Sequence, residues 1–169
     1  MPTITSFLSA ARLRALLAFA LAVTFVASES AAATSSPFRN FIGQWSGRGQ
    51  VVGSDGHRES MRCRAEYSEL KASAAVNLAI VCASESFKFD IRSHVDASGE
   101  SVQGYWTETS RNVSGSLTGR IAANQFEGQI SSPTFSATIS LTSNGRTQSV
   151  TIRPSGGDVA DVRVELKRR

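Results

Sequence analysis

Two cysteines, Cys63 and Cys82, are the residues whose type and spacing most directly suggest a chemistry. Two thiols this far apart, with no histidine at ligand spacing, would leave a zinc ion short of ligands, which argues against a metal site. In an oxidising compartment an even, isolated pair is expected to form a disulfide. Nothing beside either cysteine would activate a thiolate, so we expect a structural bridge rather than a redox centre.

Catalytic residue types are scarce. The two histidines are His57, in or beside a turn, and His94, on the outward side of a predicted strand. Neither is near an inward acid or a serine in a nucleophile setting, and two histidines do not complete a metal triad. The sequence therefore predicts no enzyme activity, no metal site and no cofactor.

The N-terminus has the pattern of a secretory signal peptide. Arg12 and Arg14 precede an apolar run over 15–27, which is short for a membrane span. Small residues follow, and they favour cleavage after Ala33, so that residues 1–33 are the signal peptide. An uncleaved membrane anchor is the alternative. We expect an exported protein, periplasmic or extracellular, with no membrane span after cleavage.

The remaining chain is long enough for one domain with a sizeable core. We expect a short lead-in over residues 34–40 and a single domain over 41–169. Basic residues interleave with acidic ones except at the C-terminus, 167–169, so a nucleic-acid partner is not expected.

Apolar residues from position 41 onward alternate with polar ones in short runs separated by turn-forming residues, the pattern of half-buried antiparallel strands. Asn144-Gly145 predicts a type I′ hairpin turn. Consecutive hairpins without crossover helices indicate an all-β, up-and-down antiparallel barrel of about 8–10 strands with its apolar face inward. An outer-membrane barrel is disfavoured, because the chain has no terminal aromatic residue and no aromatic girdles.

The cysteine spacing predicts one strand register. If a hairpin is centred between Ala72 and Ser73, residues that lie opposite each other have numbers that add to 145. Three inward pairs satisfy this sum: Cys63 with Cys82, Ala65 with Ile80, and Tyr67 with Leu78. A close antiparallel pair brings two cysteines within disulfide reach.

The inward face suggests a binding interior. The candidate ligand-lining residues are Trp45, Met61, Tyr67, Phe87, Phe89, Trp106, Glu108, Phe126 and Phe135. Several inward positions are glycines, namely Gly47, Gly49, Gly104, Gly119 and Gly128. These glycines either leave room for a ligand or let the strands coil at barrel corners. We expect Glu108 and Tyr67 to be exposed near strand ends, with a role as polar anchors near a mouth as the alternative.

Gly43-Gln44-Trp45 on the first strand resembles the Gly-x-Trp opening of the calycin-like barrels, the lipocalins and their bacterial relatives. The resemblance implies that Trp45 closes one end of the barrel and that a basic residue packs on it, for which Arg163 is a candidate. Haem-binding relatives of the fold use a histidine near the C-terminus, which this chain lacks. A weaker similarity to Inh-type periplasmic protease inhibitors would make residues 34–39 an inhibitory segment.

The leading functional hypothesis is an exported soluble barrel that binds a small apolar or amphipathic molecule in its interior. The alternatives are a barrel that binds a protein partner, such as a periplasmic protease inhibitor, and a structural envelope protein.

Overall fold

The computed structural model describes residues 36–70 and 74–169, and these residues form ten β-strands. The predicted signal peptide lies outside the described residues. The strands are β1 (Gly43–Gly53), β2 (Arg58–Leu70), β3 (Ala75–Ala83), β4 (Lys88–Ser98), β5 (Ser101–Glu108), β6 (Val113–Ala122), β7 (Gln125–Ser132), β8 (Phe135–Ser143), β9 (Thr147–Pro154) and β10 (Val159–Arg168).

Each strand pairs antiparallel with the next along the chain, and β1 pairs with β10 to close the barrel. The predicted up-and-down barrel is therefore confirmed. Within the described part of the chain, no helix has the length and apolar character needed to cross a membrane.

The predicted β2–β3 register is also confirmed. Cys63 lies opposite Cys82 with the Cα atoms 4.1 Å apart, and the two sulfur atoms are bonded. The pairs Ala65–Ile80 and Tyr67–Leu78 follow in the same ladder. A formed disulfide suggests an oxidising, exported environment.

One end of the barrel, here called the closed end, is sealed by the segment that precedes β1. Phe38 and Phe41 lie in a turn beneath the barrel and are 5% and 2% exposed, and Trp45 above them is fully buried. The indole Nε1 of Trp45 donates a hydrogen bond of 2.7 Å to the Phe41 carbonyl. The turn therefore belongs to the folded core, and from Ser36 onward this segment is not a free inhibitory arm.

The basic residue on Trp45 is Arg168 rather than Arg163. The guanidinium carbon of Arg168 lies 4.6 Å from the centre of the Trp45 ring, and Nη1 donates to the Ile42 carbonyl at 2.6 Å. Arg163 is on the outer wall, where its Nε donates to Asp161 at 2.8 Å. The reason is register: β1 pairs Trp45 with Arg168, whereas Arg163 points to the opposite side of the strand.

The β8–β9 connection differs from the predicted type I′ turn, which requires positive φ at both Asn144 and Gly145. Only Gly145 has positive φ, at 82°. The side-chain oxygen of Asn144 instead accepts hydrogen bonds from the backbone amides of Arg146 and Thr147, at 2.9 and 2.8 Å. This capping satisfies the turn amides while Asn144 stays out of the left-handed region.

Candidate functional site

The inward glycines do not leave a cavity, because neighbouring groups fill the space beside them. A methyl group added at Gly128 would lie 2.7 Å from the Phe126 ring, and one added at Gly49 would lie 2.7 Å from the Met61 methyl carbon. At Gly47 and Gly104 an added methyl would collide with a carbonyl of the adjacent strand. These glycines therefore allow strands to coil closely and large side chains to lie over them.

Exposure of the interior changes from one end of the barrel to the other. At the closed end Trp45, Phe41 and Leu166 are 0%, 2% and 1% exposed. At the opposite end, inward apolar side chains are only partly buried although they pack on the core. We call this set the mouth cluster: Phe89, Ile91, Val113, Phe135, Ile152 and Val162.

Five of the predicted site residues lie in the open half of the barrel. The rings of Phe87 and Phe89 stack with centres 6.1 Å apart and planes 8° apart. Trp106 meets Phe135 edge to face at 6.3 Å, and its Nε1 donates to the Ser116 carbonyl at 3.1 Å. Glu108 ends β5 at the same rim. The structure thus brings together aromatic surface and one carboxylate at the mouth.

The other four predicted site residues are buried in the core and do not belong to the mouth cluster. Trp45 and Tyr67 belong to the closed end, where the Tyr67 ring lies 6.4 Å from that of Phe41. Burial raises the pKa of the Tyr67 hydroxyl. Met61 and Phe126 cover inward glycines. The sequence offered a position near a mouth for Tyr67, but the structure places this residue at the closed end.

Glu108 is a carboxylate whose acceptor positions are used within the protein. Its Oε1 accepts from the Asp90 amide at 3.0 Å and from both the amide and the hydroxyl of Ser110. Its Oε2 accepts from the Arg111 amide at 2.7 Å. Burial alone would raise the pKa of this carboxyl, but the hydrogen bonds outweigh it and lower the pKa to about 2. Glu108 therefore holds the β5–β6 turn as a fixed anion.

Arg111 and Glu59 are rim residues that sequence analysis missed. The Arg111 guanidinium lies 5.2 Å from the centre of the Phe89 ring, and Nη1 is 3.5 Å from Glu108 Oε2. Glu59 pairs with the inward Val51 and accepts from the Ser86 amide at 2.8 Å. Its inward position was visible in the sequence, since it precedes Met61 by two positions.

Two surface depressions lie outside the mouth cluster. One is a groove of about 460 Å³ on the outer wall of β2 to β5, and it includes His94, which lies outward as predicted. The other, of about 220 Å³, lies around the β8–β9 turn. Over residues 36–70 and 74–169, no group of three or more His, Cys, Asp or Glu side chains is placed to hold a metal ion.

No family model matches the sequence, and no curated protein matches it. Among solved structures, the barrel resembles the S-type phycobiliprotein lyase from Guillardia theta, with 9% sequence identity and a TM-score of 0.56. The match covers 78% of this chain and 90% of that one. At this identity the likeness is one of fold, and the fold agrees with the calycin-like barrel that the sequence resembles.

This neighbour contradicts the prediction that the chain is not an enzyme, because a protein with a similar barrel fold is named as a lyase. The prediction relied on the lack of a histidine-based or metal-based site. A fold that hosts a lyase removes the ground for that exclusion, since fold does not determine function.

Proposed function

We propose that this protein is an exported binding barrel that holds one small apolar or amphipathic molecule at its mouth, in the periplasm or outside the cell. The observation that carries the proposal is the difference in burial between the two ends of one continuous interior. At the closed end Trp45, Phe41 and Leu166 are almost completely buried, whereas the side chains of the mouth cluster are only partly buried. A ligand gains from burial on an apolar surface that is partly exposed to water.

The filled glycine positions restrict the depth of binding. Because the core below the mouth is packed, the ligand would lie across the rim instead of entering the barrel. Phe89 offers it an aromatic surface, and Arg111, which lies above that ring and pairs with Glu108, offers its remaining guanidinium N–H donors at the edge of the apolar area. An amphipathic molecule with an anionic end fits this pairing better than a wholly apolar one.

Titration with dodecanoate, followed by intrinsic tryptophan fluorescence, tests the proposal. Phe89→Ala removes a partly exposed ring from the mouth and leaves the fully buried residues unchanged, and we expect about tenfold weaker binding. Tyr105→Ala is the matched control, since it removes a ring from the outer wall. Equal binding by the wild type and the Phe89→Ala variant would contradict the proposal.

A protein partner is the second candidate, and the packed interior is the observation that favours it. Partly exposed aromatic side chains beside an arginine are the residue types that dominate protein interfaces. Native mass spectrometry of the purified protein distinguishes the two, because a small ligand adds a few hundred daltons and a partner adds a whole chain. A protease inhibitor would in addition form a stoichiometric complex that Phe89→Ala weakens.

A further inference from the structure

The outer wall carries a second candidate binding site, on the side of the sheet that faces away from the barrel interior. The groove of about 460 Å³ crosses β2, β3, β4 and β5. Its centre is low because Ala79 is small, whereas its neighbours in the ladder, Glu66 on β2 and Arg92 on β4, are long. The groove volume falls within the range of small-molecule sites.

An exposed aromatic ring lines the groove and is held in place. Tyr105 is 62% exposed, and its ring stacks on His94 with centres 5.4 Å apart and planes 25° apart. The histidine is itself fixed at both nitrogens, with Nδ1 2.8 Å from Asn77 Oδ1 and Nε2 3.2 Å from Asp96 Oδ2. A single exposed aromatic residue is common at a protein surface. One that is braced by a partner fixed on two sides is preorganised for contact.

One acidic and one basic side chain, Glu66 and Arg92, line the groove on either side of Ala79. Arg92 Nε is hydrogen-bonded to Asp90 at 3.1 Å, which leaves the other N–H groups of the guanidinium to donate. Glu66 has no hydrogen-bond or ion-pair partner within the described ranges 36–70 and 74–169. The groove thus offers both an acceptor and donors, which is complementary to a ligand rich in hydroxyl groups.

We propose that this groove binds a neutral saccharide. A pyranose ring presents a face of C–H groups, which packs on an aromatic ring, and a rim of hydroxyl groups that both donate and accept hydrogen bonds. Tyr105 supplies the ring, Glu66 accepts from the hydroxyl groups, and Arg92 donates to them. The site is independent of the mouth and of the ligand proposed there.

The test is an NMR titration of the ¹⁵N-labelled protein with trisaccharides of β-1,4-linked glucose, β-1,4-linked N-acetylglucosamine and α-1,4-linked glucose, each at millimolar concentration. We expect at least one of them to shift amide resonances of β3 to β5. Tyr105→Ala should weaken that binding about tenfold, while Tyr105→Phe, which keeps the ring, stays within about twofold of the wild type. Phe89→Ala should leave it unchanged.

Three outcomes would overturn the proposal. The first is that none of the trisaccharides shifts the amide resonances of the groove. The second is that the wild type and the Tyr105→Ala variant bind the trisaccharides equally well. The third is that Phe89→Ala abolishes binding and Tyr105→Ala does not, which would place the saccharide at the mouth. Phosphatidylglycerol vesicles serve as the comparison probe, and Tyr105-dependent binding to them without any saccharide response would identify a membrane surface instead.

Discussion

Replacing Glu108 by glutamine tests whether the rim of the barrel depends on a fixed anion. The native carboxylate accepts hydrogen bonds from Asp90, Ser110 and Arg111, and these lower its pKa from 4.5 to about 2. At about 1.4 kcal/mol for each pH unit, this fall corresponds to at most about 3.5 kcal/mol of folding free energy. The unfolding free energy of the Glu108→Gln variant should be about 2 to 3 kcal/mol lower than that of the wild type at pH 7. The glutamine side chain loses the charge, and its amide N–H groups face backbone and hydroxyl groups that are themselves donors.

The pH dependence carries the sharper information. A carboxyl whose pKa is lower in the folded state stabilises the fold above its unfolded pKa, and this contribution disappears as the pH falls through the folded value. The difference in unfolding free energy between the wild type and Glu108→Gln should therefore shrink between pH 4.5 and pH 2. Urea unfolding followed by fluorescence of the buried Trp45 and Trp106 measures it at each pH.

The matched control is Glu69→Gln, which changes an exposed carboxylate at the far end of β2. It should alter the unfolding free energy by less than about 0.5 kcal/mol at every pH. The reasoning would be refuted if Glu108→Gln cost less than about 1 kcal/mol at pH 7. A difference that stayed constant down to pH 2.5 would refute it as well.

Two further predictions concern the bridge and the closed end. No free thiol should be detected in the unreduced protein. Replacing both Cys63 and Cys82 by alanine should lower the unfolding free energy by about 3 kcal/mol, because the bridge closes a loop across a sequence separation of 19. Unchanged urea unfolding of this variant would count against the prediction. Arg168→Met should lower the unfolding free energy by about 1 to 2 kcal/mol, because it removes the guanidinium that stacks on the Trp45 ring. Arg163→Met on the outer wall should lower it by less than about 0.5 kcal/mol. Equal losses for the two variants in urea unfolding would show that the stacking contributes nothing.

The strand order and one register could be predicted because both follow from local rules. Alternation places every second residue inside, and a hairpin makes opposite positions add to a constant, so the pairing of Cys63 with Cys82 follows from where the turn lies. Barrel closure could be predicted because consecutive hairpins form one sheet, and closing that sheet covers its apolar face and pairs its two edge strands.

What could not be predicted depends on contacts between distant parts of the chain. Which basic residue covers Trp45 is decided by the register of β1 with β10, strands from opposite ends of the sequence. The choice between cavity and close packing at the inward glycines is decided by neighbours such as Phe126, whose ring direction no alternation pattern specifies. The stack of His94 and Tyr105 arises from the β4–β5 pairing on the outer wall, which attention to the apolar face overlooked.

Because β1 pairs with β10, the barrel cannot close until the tenth strand has been synthesised. Arg168 at the end of β10 then fastens this strand to the turn beneath Trp45. A chain that stops short of β10 would leave β1 and β9 as two unpaired edges, which invite association with other strands. We therefore expect a chain truncated before β10 to aggregate and to be cleaved by proteases, and not to form a smaller functional barrel.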